Sequence, residues 1–554
     1  MRSGIQDVAL TVGQIFARAR ALFAQSRITS LHASGDVAVT YAQWAERVER
    51  LLAALDALGV APGESVATFC WNTQEHLELY YALPVSGRVI HPVNVRLGRE
   101  EINYVLRDPP DVAVFANQSL LEVLLPALAG NTTLRHLVVI EDGSDAPLPA
   151  DPRVVTYERL LAAHAPRGEV PPVVDEYAAA ALWHTSGTTG RPKGVVYSHR
   201  AVVLHALSLL TTDSLGLSER DVVMPVVPMF HVGAWGTPYG AVFSGADLVL
   251  VGSDLRGETL ATALERHRVT VSLAVPTVWR SMLPVVEGRD VSALRLPLCG
   301  GSSASVELLR DWRSRTGTTM VHAWGMTETG PVTAVSKPRG HHENLGDDDL
   351  MAVRTAQGTP VPLVEARIED VDTGEPLAAD GVSVGELQVR GPWIAGAYLG
   401  DVGSDSFTID GWLRTGDVGT IDPEGYIRLV DRAKDMIKSG GEWISSVALE
   451  NAVMAHPSVL EAAVIGVPDE KWDERPLACV VLRPDHELSV EALQAFLRDQ
   501  VVSWWVPERI TFLEALPKTG VGKFSKRALR QMYADGALPL GGQPGDPPGP
   551  SATT

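Results

Sequence analysis

Cysteine is scarce: Cys70, Cys299 and Cys479 are the only three in 554 residues. They lie far apart and form no Cys-x-x-Cys or other metal-ligand spacing, which excludes a cysteine-held metal centre and points to a reducing compartment. No uninterrupted apolar run reaches the ~18 residues of a membrane-spanning helix. The first residues, Met1-Arg-Ser-Gly-Ile-Gln-Asp7, lack a basic region followed by an apolar stretch. The expectation is therefore a cytoplasmic chain with no secretory signal and no integral membrane segment; peripheral membrane contact stays compatible with the composition. Positive charge is also short, with 47 Lys and Arg against 67 Asp and Glu and a formal net charge of -20. That balance excludes the broad basic footprint of a nucleic-acid binder. An anionic substrate must be met by local lysines and amides, not by the global field. No internal repeat and no fused carrier domain is recognisable.

What remains is an ordinary globular composition, 45% hydrophobic and 21% charged, in a chain too long for one core, so two or more domains are expected. Residues 8–60 read as helical segments around a short strand or turn. Short apolar runs at 65–69, 112–115 and 137–140 then alternate with helical periodicity at 74–83 and 118–129. Further strands are expected at 221–226, 247–251, 270–274 and 295–298, with helices near 256–267 and 304–316. This order predicts an α/β fold whose parallel sheets are covered by helices. After Gly330 the chain is richer in turns, and alternation at 366–369 and 386–389 suggests a smaller barrel-like part of the same large N-terminal body, residues 1–430. A boundary is expected at 431–434, followed by a compact α/β piece over 435–538: helix 446–455, strands 460–465 and 476–483, helix 489–500 and strand 508–513. The final 16 residues, 539–554, hold five prolines and four glycines and are expected to be a disordered tail.

The most informative stretch is Thr185-Ser-Gly-Thr-Thr-Gly-Arg-Pro-Lys-Gly194. Thr185, Ser186, Thr188 and Thr189 offer hydroxyl donors. Gly187, Gly190 and Gly194 let backbone amides approach a phosphate closely, and Lys193 supplies positive charge. The spacing is not that of a Walker A loop. A strand at 195–197 and a helix beginning near Ser198 would place the loop at an element terminus. A Ser/Thr/Gly-rich surface turn with an incidental lysine is the plain alternative. The stretch resembles the phosphate loop of the adenylate-forming superfamily, which activates carboxylic acids as acyl-AMP. Four later segments fit the same family, so the resemblance runs through most of the chain.

In His322-Ala-Trp-Gly-Met-Thr-Glu-Thr-Gly330, expected to follow a short strand at 319–321, the resemblance implies that Trp324 and Gly325 lie against adenine. It also implies that Thr327 contacts the α-phosphate and that Glu328 helps hold Mg²⁺. A carboxylate suits a hard cation that polarises phosphate oxygens. A buried core tryptophan and a helix-capping Thr/Glu pair are the alternatives. Asp417, after Thr415-Gly416, resembles the family's ribose-binding aspartate, and Arg432 is expected to assist at the ribose or phosphate. An Asx turn and a surface ion pair are the alternatives for these two. Gly301, Ser302 and Ser303 follow a strand and would let acyl and adenosine groups approach the backbone; Cys299 reads as a small core residue.

Pro228-Met-Phe-His-Val-Gly-Ala-Trp-Gly236 resembles the gate segment of medium- and long-chain fatty acyl-CoA synthetases. His231 would orient the reacting carboxylate. Val232, Gly233 and Trp235 would line or gate an apolar tunnel, with Trp235 swinging aside; a static core anchor is the other reading of that residue. Asp431-Arg-Ala-Lys-Asp-Met-Ile-Lys-Ser-Gly-Gly-Glu-Trp-Ile-Ser-Ser446 closely resembles the same enzymes. The resemblance makes Lys434 a hinge and brings Lys438, Gly440, Gly441 and Trp443 to the thiol side of the site. In Pro517-Lys-Thr-Gly-Val-Gly-Lys523, Lys523 matches the catalytic lysine that bridges carboxylate and α-phosphate. The implied activity is an AMP-forming acid–thiol ligase that uses ATP, Mg²⁺ and CoA on a carboxylic acid, most simply a fatty acid. The family also implies a homodimer as one arrangement. An aromatic acid with a nitrogen or carrier-protein acceptor is the enzyme alternative, and a non-catalytic nucleotide-binding protein is the alternative of another class.

Overall fold

The computed structural model describes residues 4–168, 172–185, 191–371, 373–440, 442–518 and 524–538. The expected tail at 539–554 lies outside them. The chain forms two compact units: Met1–Ala366 with Val389–Leu413, and Arg367–Gln388 with Arg414–Thr554. The expected α/β class is what is found. Among the described residues the strands form four sheets.

The first unit holds two large sheets. One runs in the order Val154–Thr156, His136–Ile140, Ala113–Asn117, Ser65–Phe69, Val89–Pro92, Ala179–His184, Gly194–Ser198. Its pairs are parallel except the last, where Ala179–His184 meets Gly194–Ser198 antiparallel. Every residue of Ser65–Phe69 and of Ala113–Asn117 is buried, as a parallel strand covered on both faces requires. The helix Gln74–Val85 is buried at every residue but Glu75 and starts where the Thr73 hydroxyl accepts from the His76 amide. The run expected as one helix at 118–129 is instead a 3-10 turn, Gln118–Leu120, followed by the helix Leu121–Leu128.

The other large sheet is parallel through its middle, from Arg27–Ser30 by way of Asp247–Leu250, Val222–Pro225, Val271–Ala274 and Leu296–Gly300 to Val321–Gly325. Antiparallel strands at Val37–Thr40, Val332–Val335 and Thr359–Pro360 finish its edges. The strand expected at 319–321 is found at Val321–Gly325, so Trp324 and Gly325 belong to the strand itself. The reason is pairing: Trp324 and Gly325 face Ala334 and Val332 across a bulge.

In the second unit, strands Glu365–Glu369, Gly385–Arg390, Leu413–Ile421 and Ile427–Arg432 form a four-stranded sheet in that order. This is the part expected to be barrel-like. The strand Ile427–Arg432, on which the sequence boundary falls, is antiparallel to Leu413–Ile421. Beyond it, Val459–Asp469 and Asp473–Leu482 make a long antiparallel pair, and Arg509–Phe512 lies parallel to the second of them. Helices Ser446–Met454 and Val490–Arg498 supply Leu449, Val453, Leu493 and Leu497 to this core. Among the described residues, no helix is long and apolar enough to cross a membrane.

Gly325 is needed at its bulge because a Cβ there would lie 1.7 Å from the Pro331 carbonyl oxygen, which is backbone and has no rotamer to yield. Gly325→Ala is expected to lower unfolding free energy by at least ~2 kcal/mol, in the overpacking range. Urea denaturation checks this, and a loss under about 0.5 kcal/mol would contradict the bulge.

Candidate active site

The antiparallel pair Ala179–His184 and Gly194–Ser198 makes the base of the Thr185–Lys193 loop. Its neck is closed twice. The Thr185 amide donates to the Lys193 carbonyl at 2.9 Å, and the Lys193 amide donates to Thr185 Oγ1 at 3.1 Å. Ser186, Gly187, Thr188, Thr189 and Gly190 lie outside the described residues. The expected helix follows as His199–Leu209, capped by Ser198.

From this neck Lys193 reaches the face of Tyr398, its Nζ 4.6 Å from the ring centroid. Gly403 sits beneath it at φ 69°, and a Cβ there would come within 2.4 Å of that nitrogen. The Tyr398 hydroxyl donates to Glu328 Oε1 at 2.6 Å. The Tyr197 hydroxyl donates to the Thr327 carbonyl. Thr327 and Glu328 are buried on the 3-10 turn Thr327–Thr329, and the Ala395 amide bonds the Glu328 carbonyl at 2.8 Å. Burial and the Glu328 carboxylate together raise the Tyr398 and Tyr197 phenols well above their ordinary value. Lys193, Thr327 and Glu328 are thus brought into one cluster, and Glu328 has the buried hard-oxygen chemistry that suits Mg²⁺. Tyr398 and Tyr197 were missed from sequence. Tyr398 sits in Gly396-Ala-Tyr-Leu-Gly400, which carries no charge and no ligand spacing that could have flagged it.

Trp324 is half-buried at the end of its strand. Neighbouring Gly301 takes φ 80°, and Ser302 and Ser303 are exposed. His322, a motif residue given no role from sequence, approaches the Ser302 carbonyl with Nε2 at 3.3 Å. Cys299 is a buried core thiol, as expected, with its pKa pushed up by burial.

The gate segment has an unusual backbone. After half-buried His231, the residues Val232, Gly233, Ala234, Trp235 and Gly236 all have positive φ, between 47° and 76°, and form one left-handed turn. For the three residues with a Cβ such a conformation costs roughly 1–2 kcal/mol each. Trp235 is buried, and its ring edge would meet a Cβ on Gly300 at 3.0 Å. Next to this turn lies a cavity of ≈ 10 Å³, lined in part by Trp183, His205, Val232, Gly233 and Tyr239. A space of that size holds about one water.

The second unit pairs its own candidates. Asp417 and Arg432 face each other across the antiparallel strands, and Arg432 Nε lies 3.1 Å from Asp417 Oδ1. Asp417 is buried and its amide donates to Thr415 Oγ1 at 3.1 Å. The ion pair read as a plain alternative for Arg432 therefore joins the two ribose candidates to each other. Lys434 is exposed in a turn whose following amides, Asp435 and Met436, both donate to the Arg432 carbonyl. Lys438 and Trp443 meet on a separate hairpin, with Nζ 5.1 Å from the ring. Gly440 turns that hairpin at φ 62° against Trp472; Gly441 lies outside the described residues. So does Lys523, although the neck of its loop is described: Lys518 bridges Phe524, and the Ser525 amide donates to the Pro517 carbonyl at 2.8 Å.

Residues 18–399 match the family model of the AMP-binding enzymes, and residues 448–523 match the C-terminal domain of AMP-binding enzymes. The chain belongs to the AMP-binding enzyme family. It is an enzyme of the AMP-forming acyl-CoA ligase kind. It is 42% identical over 537 residues to a long-chain-fatty-acid–CoA ligase of Thermus thermophilus, covering 96% of this chain and 97% of that one. It is 41% identical over 530 residues to a 3-methylmercaptopropionyl-CoA ligase of Ruegeria pomeroyi, covering 95% and 98%. In fold it is similar to an anthranilate CoA ligase solved with anthranoyl-AMP, with a TM-score of 0.85, 24% identity and coverage of 97% and 100%.

His205, beside the left-handed turn, accepts from the Val332 amide at Nε2, 3.1 Å away, and burial lowers its pKa to about 3. The native state therefore keeps it neutral where the unfolded chain takes a proton, near an ordinary value of 6.5. Its contribution is full above that value and is lost as pH falls, at about 1.4 kcal/mol per pH unit for each such proton. His205→Gln keeps an acceptor for Val332. It is expected to remove close to one proton from the pH dependence of unfolding between about pH 6 and 4, as measured by urea titrations across that range.

Proposed function

We propose that this ligase activates medium- to long-chain fatty acids and passes them to CoA. The observation that carries the reading is the convergence of Lys193, Tyr398 and Glu328 at the neck of the Thr185 loop. The substrate carboxylate attacks the α-phosphorus of ATP in line. A P–O bond forms, the bond to the β-phosphate breaks, and pyrophosphate leaves. Lys193, Thr185 and the loop hydroxyls hold the phosphates, Thr327 contacts the α-phosphate, and Trp324, with Gly325, Gly301 and Ser302, faces the adenosine. Glu328 would hold Mg²⁺, which supplies charge neutralisation on the phosphate oxygens. Asp417, oriented by Arg432, takes the ribose hydroxyls. Lys523 bridges carboxylate and α-phosphate, where oriented positive charge is most effective as negative charge crowds.

In the second step the C-terminal part, residues 435–538, turns about Lys434. Lys523 leaves, and Lys438, Gly440, Gly441 and Trp443 come to the thiol side. The CoA sulfur then attacks the acyl carbonyl and AMP departs. One cleft so serves two transition states.

The fatty-acid assignment rests on the gate. A left-handed turn holding three strained residues suits an element that moves between two arrangements. Swinging Trp235 off Gly300 would open the apolar space beside His231, Val232, Gly233 and Ser303. Each methylene buried there would contribute about 0.8 kcal/mol, so four more carbons would raise affinity roughly 200-fold. The similarity to a 3-methylmercaptopropionyl-CoA ligase at nearly the same identity as to a long-chain enzyme favours a short thioether acid as the second reading.

Mass spectrometry of products from ATP, Mg²⁺, CoA and a panel of short, long, thioether and aromatic acids decides between them; amines and a carrier protein in place of CoA test the acceptor. Lys523→Ala is expected to suppress acid-dependent pyrophosphate release by about 10²-fold or more while sparing thioester formation from supplied acyl-AMP. Normal pyrophosphate release by that variant would remove Lys523 from the first step. Trp235→Ala is expected to change KM across a chain-length series; identical KM values for every acid would rule out the gate.

A further inference from the structure

A line of polar side chains crosses the seven-stranded sheet and ends at the neck of the Thr185 loop. Ser65 opens the strand Ser65–Phe69, Asp111 precedes Ala113–Asn117, His91 lies in Val89–Pro92, and His184 closes Ala179–His184. Ser65 Oγ donates to Asp111 Oδ1 at 2.6 Å. Asp111 Oδ2 lies 2.8 Å from His91 Nδ1, and His91 Nε2 lies 2.9 Å from His184 Nδ1. Ser65, Asp111 and His91 are buried.

Tautomer chemistry gives this line a direction. An ionised carboxylate only accepts, so His91 carries its proton on Nδ1. In its singly protonated form His91 then accepts at Nε2, which requires His184 to donate from Nδ1. That leaves His184 Nε2 unprotonated, consistent with its being shut off from solvent and finding no hydrogen-bond partner among the described residues. Burial, and then the neighbouring His91, lower the His184 pKa to about 3, so its ring is neutral. The Asp108 backbone also faces this ring and works against that lowering. His184 is followed directly by Thr185, whose amide and hydroxyl close the loop neck.

We propose that Asp111 and His91 are positioning residues for ATP: through the hydrogen bond to His184 they hold that ring in its Nδ1–H tautomer and so fix the strand end from which the phosphate loop springs. The proposal rests on the reading that this loop holds the phosphates of ATP. Displacement of a loop neck by about 1 Å is enough to cost large factors in rate.

The test compares two amides at position 91. His91→Gln keeps an acceptor where Nε2 stood; His91→Asn keeps only the donor toward Asp111. His91→Asn is expected to raise KM for ATP about tenfold in pyrophosphate release, with thioester formation from supplied acyl-AMP and CoA changed less than about threefold. His91→Gln is expected to keep KM for ATP within about threefold of the parent. Nitrogen chemical shifts of ¹⁵N-histidine protein should show His184 protonated at Nδ1. An Nε2–H signal at His184 overturns the proposal. So does an unchanged KM for ATP in His91→Asn, an equal loss in both variants, or an equal loss in both half-reactions. If His91→Asn does not fold, His184→Asn against His184→Leu repeats the comparison, since only Asn keeps a donor toward His91. If the parent protein releases no pyrophosphate with any acid, the ligase reading falls, and the His184 tautomer still decides the relay.

Discussion

A carboxylate as buried as Glu328 costs several kcal/mol unless donors surround it. Tyr398 provides one at 2.6 Å, and that bond ties the segment Val389–Leu413 to the turn Thr327–Thr329. The face of the same ring receives Lys193, a contact of about 0.5–2 kcal/mol. One aromatic ring therefore relates a buried anion to a cation that reaches it from a distant loop. In a chain of net charge -20, this is a local arrangement that sets one positive charge against the global field, as the proposed anionic substrate would need. The parallel sheets matter to function mainly because they hold the ends of these segments still.

The turn expected to be the gate follows a different logic. The helices His199–Leu209 and Thr237–Ser244 pack beside it, yet Val232–Gly236 winds the wrong way for L-residues. The strain is offset by burial of Val232 and of Trp235, whose ring lies against Gly300. Gly236 leaves room for His205, since a Cβ there would lie 2.4 Å from that ring. A strained, fully packed turn next to a cavity of about one water is suited to moving between discrete positions and poorly suited to gradual deformation.

Much of the fold was legible. The strands at 65–69, 247–251 and 270–274 and the helices near 256–267 and 446–455 stand within one or two residues of their expected places, because fully buried strands and amphipathic helices write their periods into the chain. The turn chemistry was harder. Pairing across the Gly325 bulge moved one strand by two residues, and a 3-10 turn broke the run at 118–129. Tyr398 was invisible because its role depends on what lies on either side of its ring. The ion pair between Asp417 and Arg432 was visible as two separate residues and not as a partnership.

The chain by itself determined the α/β class and the places of most strands and helices, since these follow from local spacing and hydrophobic period; the expected adenylate residues came from the resemblance of its motifs to the adenylate-forming superfamily. Only the tertiary structure decided that Tyr398 joins Lys193 to Glu328, that the segment carrying Trp235 is left-handed, and that Asp111 reaches His184 through His91. Each of these is a contact or a backbone conformation between segments far apart in the chain or forced by packing. No local propensity encodes either one.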